Sequence, residues 1–149
     1  MSARARAWAQ RARSELAARG HRSGGARSAV IDALAERDGC CTAGDLLERL
    51  RASGSGVGTA SVYRALGALQ EADLVRALEL GEGERRYELV HADGEHHHHI
   101  VCDRCGATTA FHDDALERSI AAAARRLDWA VDAHDVVLHG TCARCAAAR

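Results

Sequence analysis

The chain has no proline and no lysine, and its 149 residues include only two Trp, two Tyr and one Phe. An aromatic-rich core is therefore excluded, and the abundance of alanine points to aliphatic, largely helical packing. The absence of proline reads as compositional bias. No apolar run approaches the ~18 residues a bilayer span requires, and no apolar stretch follows the N-terminal arginines, so neither a membrane span nor a secretory signal is expected. An arginine-rich start also suits an organellar transit peptide, but here the same segment reads as an amphipathic helix leading into folded structure. A hydrophobic content of 47% is ample for a core, and the expectation is a soluble, cytoplasmic protein.

Charge is nearly balanced overall, at −1, but unevenly placed. The first 27 residues hold seven Arg and one Glu, and the remainder holds thirteen Arg and twenty acids. A basic face at one end suits a polyanionic partner. Six cysteines are present, four of them in two C-x-x-C pairs. In a chain with a core of its own, that pattern points to metal or redox chemistry before structural disulfides.

Apolar spacing predicts helices over 3–19 (Trp8, Ala12, Leu16), over 26–39 (Val30, Ile31, Leu34, ending at Gly39), over 43–54 (Leu46, Leu47, Leu50, with Thr42 as N-cap) and from Thr59, a further N-cap candidate, onward (Val62, Leu66, Leu69). LVRALEL and RRYELV then read as a hairpin turned at GEGE. Helices followed by a hairpin give the order of a winged helix-turn-helix. HADGE reads as a hinge, and HHHHIVC, ATTAFH, the helix DDALERSIAAAARRLD and the strand AVDAHDVVLHGTC build a second small domain. The expected fold class is α+β: a winged helix-turn-helix over residues 1–90, a hinge at 91–95 and a small α/β domain over 96–149.

The strongest chemical signal is Cys102-x-x-Cys105 with Cys142-x-x-Cys145. Two such turns close a tetrahedral S4 site that suits structural Zn2+ and leaves no open position for a substrate. The rival reading is a redox dithiol pair. The run His96–His99 behaves differently, because side chains alternate faces along a strand. His96 and His98 share one face, His97 and His99 the other, so the run can serve two metal sites. Imidazole alone does not choose among Zn, Ni, Cu and Fe. A tag remnant is the bland alternative, against which stands the internal position of the run. Thr59, Ser61, Tyr63 and Arg64 have the chemistry of a recognition helix, and Arg22 and Arg27 that of phosphate contacts.

GHRSGGAR, TASVYRALGAL, RRYEL, HHHHIVCDRCG and GTCARC, in that order and spacing, make the chain resemble the ferric uptake regulator superfamily of bacterial metal-dependent repressors across nearly its full length, most like the zinc uptake regulator branch. The resemblance implies a homodimer in which the second domain dimerises and the first binds double-stranded operator DNA, with no small-molecule substrate, no membrane and no enzymatic activity. It also implies that Cys102, Cys105, Cys142 and Cys145 hold structural zinc. A metal site within the dimerisation domain falls on His96, His98, Glu117 and His134. The hinge sensor takes His97 and His99, together with Glu88, Cys40 or His91.

Three departures from the family pattern stand out. Iron-type sensors place a carboxylate where this chain has Ala110; zinc-type sensors often have an Asp at the position aligned with Arg76; and GHRSGGAR has Gly24 and Ala26 in place of the usual Thr and Pro. An imidazole-rich site with a thiolate and one fewer acid favours Zn2+, with Ni2+ as the nearest competitor and Fe2+ or Mn2+ further off. Because these ligands bind deprotonated, operator affinity is expected to weaken below about pH 6. The alternatives are a nickel- or iron-responsive repressor, or an iron- or manganese-dependent peroxide sensor, on the same fold. More distant is a zinc enzyme, for which no HExxH, nucleophile elbow or phosphate loop is present.

Overall fold

A computed structural model describes all residues except 23, 38, 80–82, 84, 93–96 and 149. The chain divides into two compact units, Met1–Gly94 and Glu95–Arg149.

The first unit begins with helix α1 (Ala3–Ala18), capped by the Ser2 hydroxyl. Trp8, Ala12 and Leu16 are all buried. Its Trp8 Nε1 donates to the Leu74 carbonyl at 3.1 Å and its Arg19 to the Glu71 carbonyl at 3.0 Å, tying α1 to the end of the fourth helix. Helices α2 (Gly25–Ala35), α3 (Ala43–Ala52) and α4 (Thr59–Glu71) follow. Strand β1 (Cys41–Thr42) precedes α3, and β2 (Val75–Glu79) and β3 (Arg85–Leu89) follow α4; the three form an antiparallel sheet in the order β1-β3-β2. Val30, Ile31, Leu34, Leu46, Leu66 and Leu69 pack into one core with Tyr87 from β3. Three helices and this sheet make a winged helix.

The sequence reading differs from this arrangement at three places in the first unit and matches it at the cap of α3. Helix α2 stops at Ala35 rather than Gly39, because the chain must straighten to pair β1 with β3; Gly39, at φ +77°, turns it there. Strand β1 is two residues long, too short for any periodic signal. Thr42 caps α3 through a reciprocal capping box with Asp45. Thr59, by contrast, is the first helical residue of α4, and Gly58 takes the cap position. Most of the GEGE turn lies outside the described residues.

The second unit is a three-stranded mixed sheet with the order β5-β4-β6, where β4 is His98–Cys102, β5 Thr108–Phe111 and β6 Val137–Gly140. Helix α5 (Asp114–Arg126), capped by Asp113, connects β5 to β6, and a short α6 (Ala143–Ala147) ends the chain. Strand β6 runs parallel to β4, β5 antiparallel. Both outer strands are shorter than their sequence pattern, and His97 precedes β4 rather than lying within it. Among the described residues, those buried here are His98, His99, Val101 and Cys102. That is a core of ligand-type side chains with almost no aliphatic content, the condition in which small domains depend on metals or oligomerisation.

Candidate metal centres and nucleic-acid face

The parallel pairing of β4 with β6 sets Cys102 beside Gly140. Both strands therefore end at the same edge of the sheet, and 36 intervening residues still deliver Cys142 and Cys145 to Cys102 and Cys105. The first C-x-x-C is the β4–β5 turn, closed by Gly106 N–H donating to the Cys102 carbonyl at 2.8 Å, with Gly106 at φ +69°. The second straddles the start of α6, with Cys142 at the N-cap. All four sulfurs lie within 4.8 Å of one another, and those of Cys105 and Cys142 are 3.8 Å apart. A tetrahedral zinc with Zn–S bonds of about 2.3 Å needs sulfurs about 3.8 Å apart. The donor set and its spacing fit zinc.

Hydrogen bonds shift the thiols of the cluster in opposite directions. The amide of Cys142 donates to the Cys102 sulfur at 3.3 Å, and this contact above all lowers that thiol to about 6. Cys105 is lowered by the Ala107 amide and then by the Arg144 guanidinium, 3.6 Å from its sulfur. Cys145 is pushed up to about 12, chiefly because its thiol hydrogen is held by Cys105 and then by Cys142. Sequence reasoning missed α6 and the arginines. CDRC and CARC share an Arg before their second Cys, a repeat that was readable: Arg104 donates across to the Cys145 carbonyl at 3.1 Å as Arg144 reaches Cys105. The Asp103–His139 contact at 2.9 Å ties β6 to the first turn.

A second group gathers around Glu117, in the first turn of α5. One carboxylate oxygen meets His98 Nε2 at 2.6 Å and the other His134 Nε2 at 3.1 Å. The imidazole centroids are 5.3 Å apart, and His98 is fully buried. Val136 N–H donates to His98 Nδ1 at 3.3 Å, which leaves the ring proton on Nε2, aimed at Glu117. His98, Glu117 and His134 are thus brought together as the sequence grouped them, while His96 lies outside the described residues.

The residues assigned to a hinge sensor sit as follows. His99, buried, projects from the face of β4 opposite His98, and the residue across from it on β5 is Ala110. His97 is half-buried. In the first unit Cys40 is buried, Glu88 and His91 are half-buried, and Glu88 pairs across the sheet with Arg76. Cys40, Glu88 and His91 do not by themselves form a metal-sized cluster.

On α4, Val62, Ala65, Leu66 and Leu69 face the core. The opposite face offers Thr59, the half-buried Ser61, Tyr63 and Arg64, with Tyr63 55% exposed. Arg64 donates to the Ser61 hydroxyl at 3.0 Å. Arg22 is exposed; Arg27 donates to the Arg22 carbonyl at 2.6 Å and so braces the entry to α2.

Comparison with known proteins bears on this combination. The Ferric uptake regulator family profile matches residues 18–139. A ferric uptake regulation protein of Campylobacter jejuni is 36% identical over 89 residues, which span 60% of this chain and 55% of that protein. The matched region is thus little more than half of that relative's length. The solved structure of the Helicobacter pylori ferric uptake regulator, described as having three functional metal binding sites, aligns with a TM-score of 0.81 at 25% identity over 95% of this chain and 93% of that one. A zinc uptake regulator complexed with zinc and DNA aligns with a TM-score of 0.62 at 26% identity, over 99% and 98%.

Proposed function

The chain belongs to the ferric uptake regulator family, whose members are metal-dependent transcription regulators rather than enzymes, and from that premise we propose that it is a zinc-responsive repressor. It binds operator DNA as a homodimer when its hinge sensor site is loaded with metal. The sensor draws on His97 and His99, completed from Cys40, Glu88 and His91. Cys102, Cys105, Cys142 and Cys145 hold structural zinc, and His98, Glu117 and His134, with His96, a further ion.

The observation that carries the zinc assignment is Ala110 standing across from His99. The position that would bring a hard carboxylate to that imidazole offers a methyl group instead, and imidazole with thiolate suits zinc better than manganese or iron(II). Support for the homodimer comes from exposed apolar side chains. Ile100, Leu138, Leu127, Trp129 and Val131 all belong to the second unit, and Trp129 is 73% exposed. Support for DNA comes from the exposed hydroxyls, phenol and guanidinium of α4 and from the relative solved with zinc and DNA.

Metal acts in this scheme by binding the DNA-competent arrangement more tightly than the alternatives; couplings of roughly 1–3 kcal/mol are usual for such sites. The test is an operator titration against buffered free Zn2+, Ni2+, Fe2+ and Mn2+, with His97→Ala as control. Zinc should tighten binding at the lowest free concentration, and His97→Ala should remain a folded dimer that no longer responds. If no metal moves operator affinity, the sensor reading fails; if another metal acts at lower concentration than zinc, the zinc assignment fails.

A further inference from the structure

Arg76 on β2 stands directly across from Glu88 on β3. On the other side of β3, β1 pairs Cys41 with Tyr87 and Thr42 with Arg86. Cys40 immediately precedes β1. The Arg76 guanidinium and the Glu88 carboxylate therefore lie on one face of the sheet, since residues opposite each other on antiparallel strands share a face. Arg76 is exposed and Glu88 half-buried. The Cβ atoms of such opposed residues are about 5 Å apart, well within the reach of an arginine.

We propose that Arg76 is a specificity-determining residue of the regulatory site: as a fixed counter-ion of Glu88 it withholds a hard carboxylate from incoming metal and tilts selectivity from manganese and iron(II) toward zinc. The proposal rests on the sensor reading above, in which Glu88 belongs to the ligand pool. A guanidinium is charged at every accessible pH, so this competition does not switch off. A divalent cation that takes Glu88 must displace Arg76 and then remain beside a positive charge. Metals that depend on carboxylate oxygen lose most by this, and a metal satisfied by imidazole and thiolate loses least.

The experiment measures Mn2+ and Zn2+ affinity by competition with a chelating dye, in full-length protein that retains its structural zinc. The proteins are wild type, Arg76→Gln, Arg76→Lys, Glu88→Gln and the double variant Arg76→Gln/Glu88→Gln. The sensor share is the metal lost on His97→Ala, and circular dichroism checks each fold. Arg76→Gln should tighten Mn2+ by roughly tenfold or more, and Zn2+ by less than roughly threefold, within the usual range of site couplings. Adding Glu88→Gln should erase that gain, and Arg76→Lys, which keeps the charge, should keep the wild-type preference even if Arg76→Gln folds poorly. An unchanged Mn2+/Zn2+ ratio in Arg76→Gln, or a gain that survives Glu88→Gln, overturns the proposal while leaving the sensor reading intact. If His97→Ala removes no metal from any variant, the sensor reading itself is wrong, and the role assigned to Arg76 falls with it.

Discussion

The sulfurs of Cys105 and Cys142 lie 3.8 Å apart across 36 residues of intervening chain, held there by the parallel pairing of β4 with β6. The consequence is that the second unit is organised around its sulfur cluster instead of an aliphatic core. Structural zinc in small domains contributes roughly 10–16 kcal/mol at neutral pH. Cys105→Ser should therefore lose one zinc per chain and amide-exchange protection across residues 98–140. The first unit, with its own core from Trp8 to Tyr87, should keep its protection. Persistence of protection in β4 and β6 after zinc is lost would show that the sheet stands without the metal.

Glu117 accepts the Nε2 proton of His98 and lies 3.1 Å from His134 Nε2, and a metal bound at His98 Nε2 must expel that proton. With metal on Nε2, a neutral His98 carries its proton on Nδ1, where the Val136 N–H now donates. Metal binding should therefore turn the Val136 amide away. Adding Zn2+ to protein that holds only its structural zinc should shift the Val136 amide resonance and speed its exchange. His134→Ala should bind one ion fewer per chain, with its melting temperature within a few degrees of wild type. An unmoved Val136 amide at full occupancy would mean that this cluster does not bind metal through His98 Nε2.

Cys41 supplies a pH prediction. Burial raises its thiol from 9.0 to about 11, with Arg37 opposing the shift. Below pH 9 the thiol is protonated in both folded and unfolded chains and does not affect stability. Between about 9 and 11 only the unfolded chain ionises, so the stability of the first unit should fall, by up to roughly 2–3 kcal/mol at 1.36 kcal/mol per unit. Urea denaturation across this range, followed by Trp8 fluorescence, measures it; Cys41→Val should flatten the alkaline limb. The same slope in Cys41→Val would assign the effect to another group.

Much of this was legible because it is periodic or spaced. The four helices of the first unit follow apolar stripes whose members, from Trp8 to Leu69, are buried except for the partly buried Leu47. The cysteine quartet and the His98–Glu117–His134 group followed from motif and resemblance. What escaped was either too short to carry a period, as with β1 and α6, or set by tertiary pairing. The end of α2 is fixed by β1 meeting β3, and Thr59 gave up the cap position to Gly58. The resemblance already put Glu88 in the hinge set and Arg76 at a zinc-sensor ligand position, but that Arg76 stands directly across from Glu88 is set by the β2–β3 register and not by any local pattern.

The exposed apolar set of the second unit predicts where the protein associates. Ile100 and Leu138 are neighbours across β4 and β6, 43% and 46% exposed, and the amphipathic α5 buries none of its residues within one chain. Burying apolar area contributes about 25 cal/mol per Å², so a charge at this patch is costly to bury. Leu138→Asp should raise the dimer dissociation constant by at least roughly a hundredfold, about 2.7 kcal/mol, in sedimentation equilibrium with zinc content unchanged. A dimer of unaltered affinity would place the interface elsewhere.

Recognition by α4 is most directly tested at Arg64. Its guanidinium is exposed and tethered to Ser61 at 3.0 Å, which holds the fork at the N-terminal half of the helix, the part that reaches base edges when a recognition helix enters the major groove. Neither side chain belongs to the buried face, so changing them leaves the packing of Val62 and Leu66 in place. Arg64→Ala should weaken operator binding by about 1–3 kcal/mol and relax discrimination at one base pair in each half-site, whereas a lost phosphate contact would weaken all sequences alike. Ser61→Ala removes only the tether, so it should cost less than Arg64→Ala and leave the same base preference. Measuring both variants against operators mutated one position at a time separates these outcomes. Uniform weakening in Arg64→Ala would assign this arginine to the DNA backbone and leave base reading to Tyr63 and Thr59.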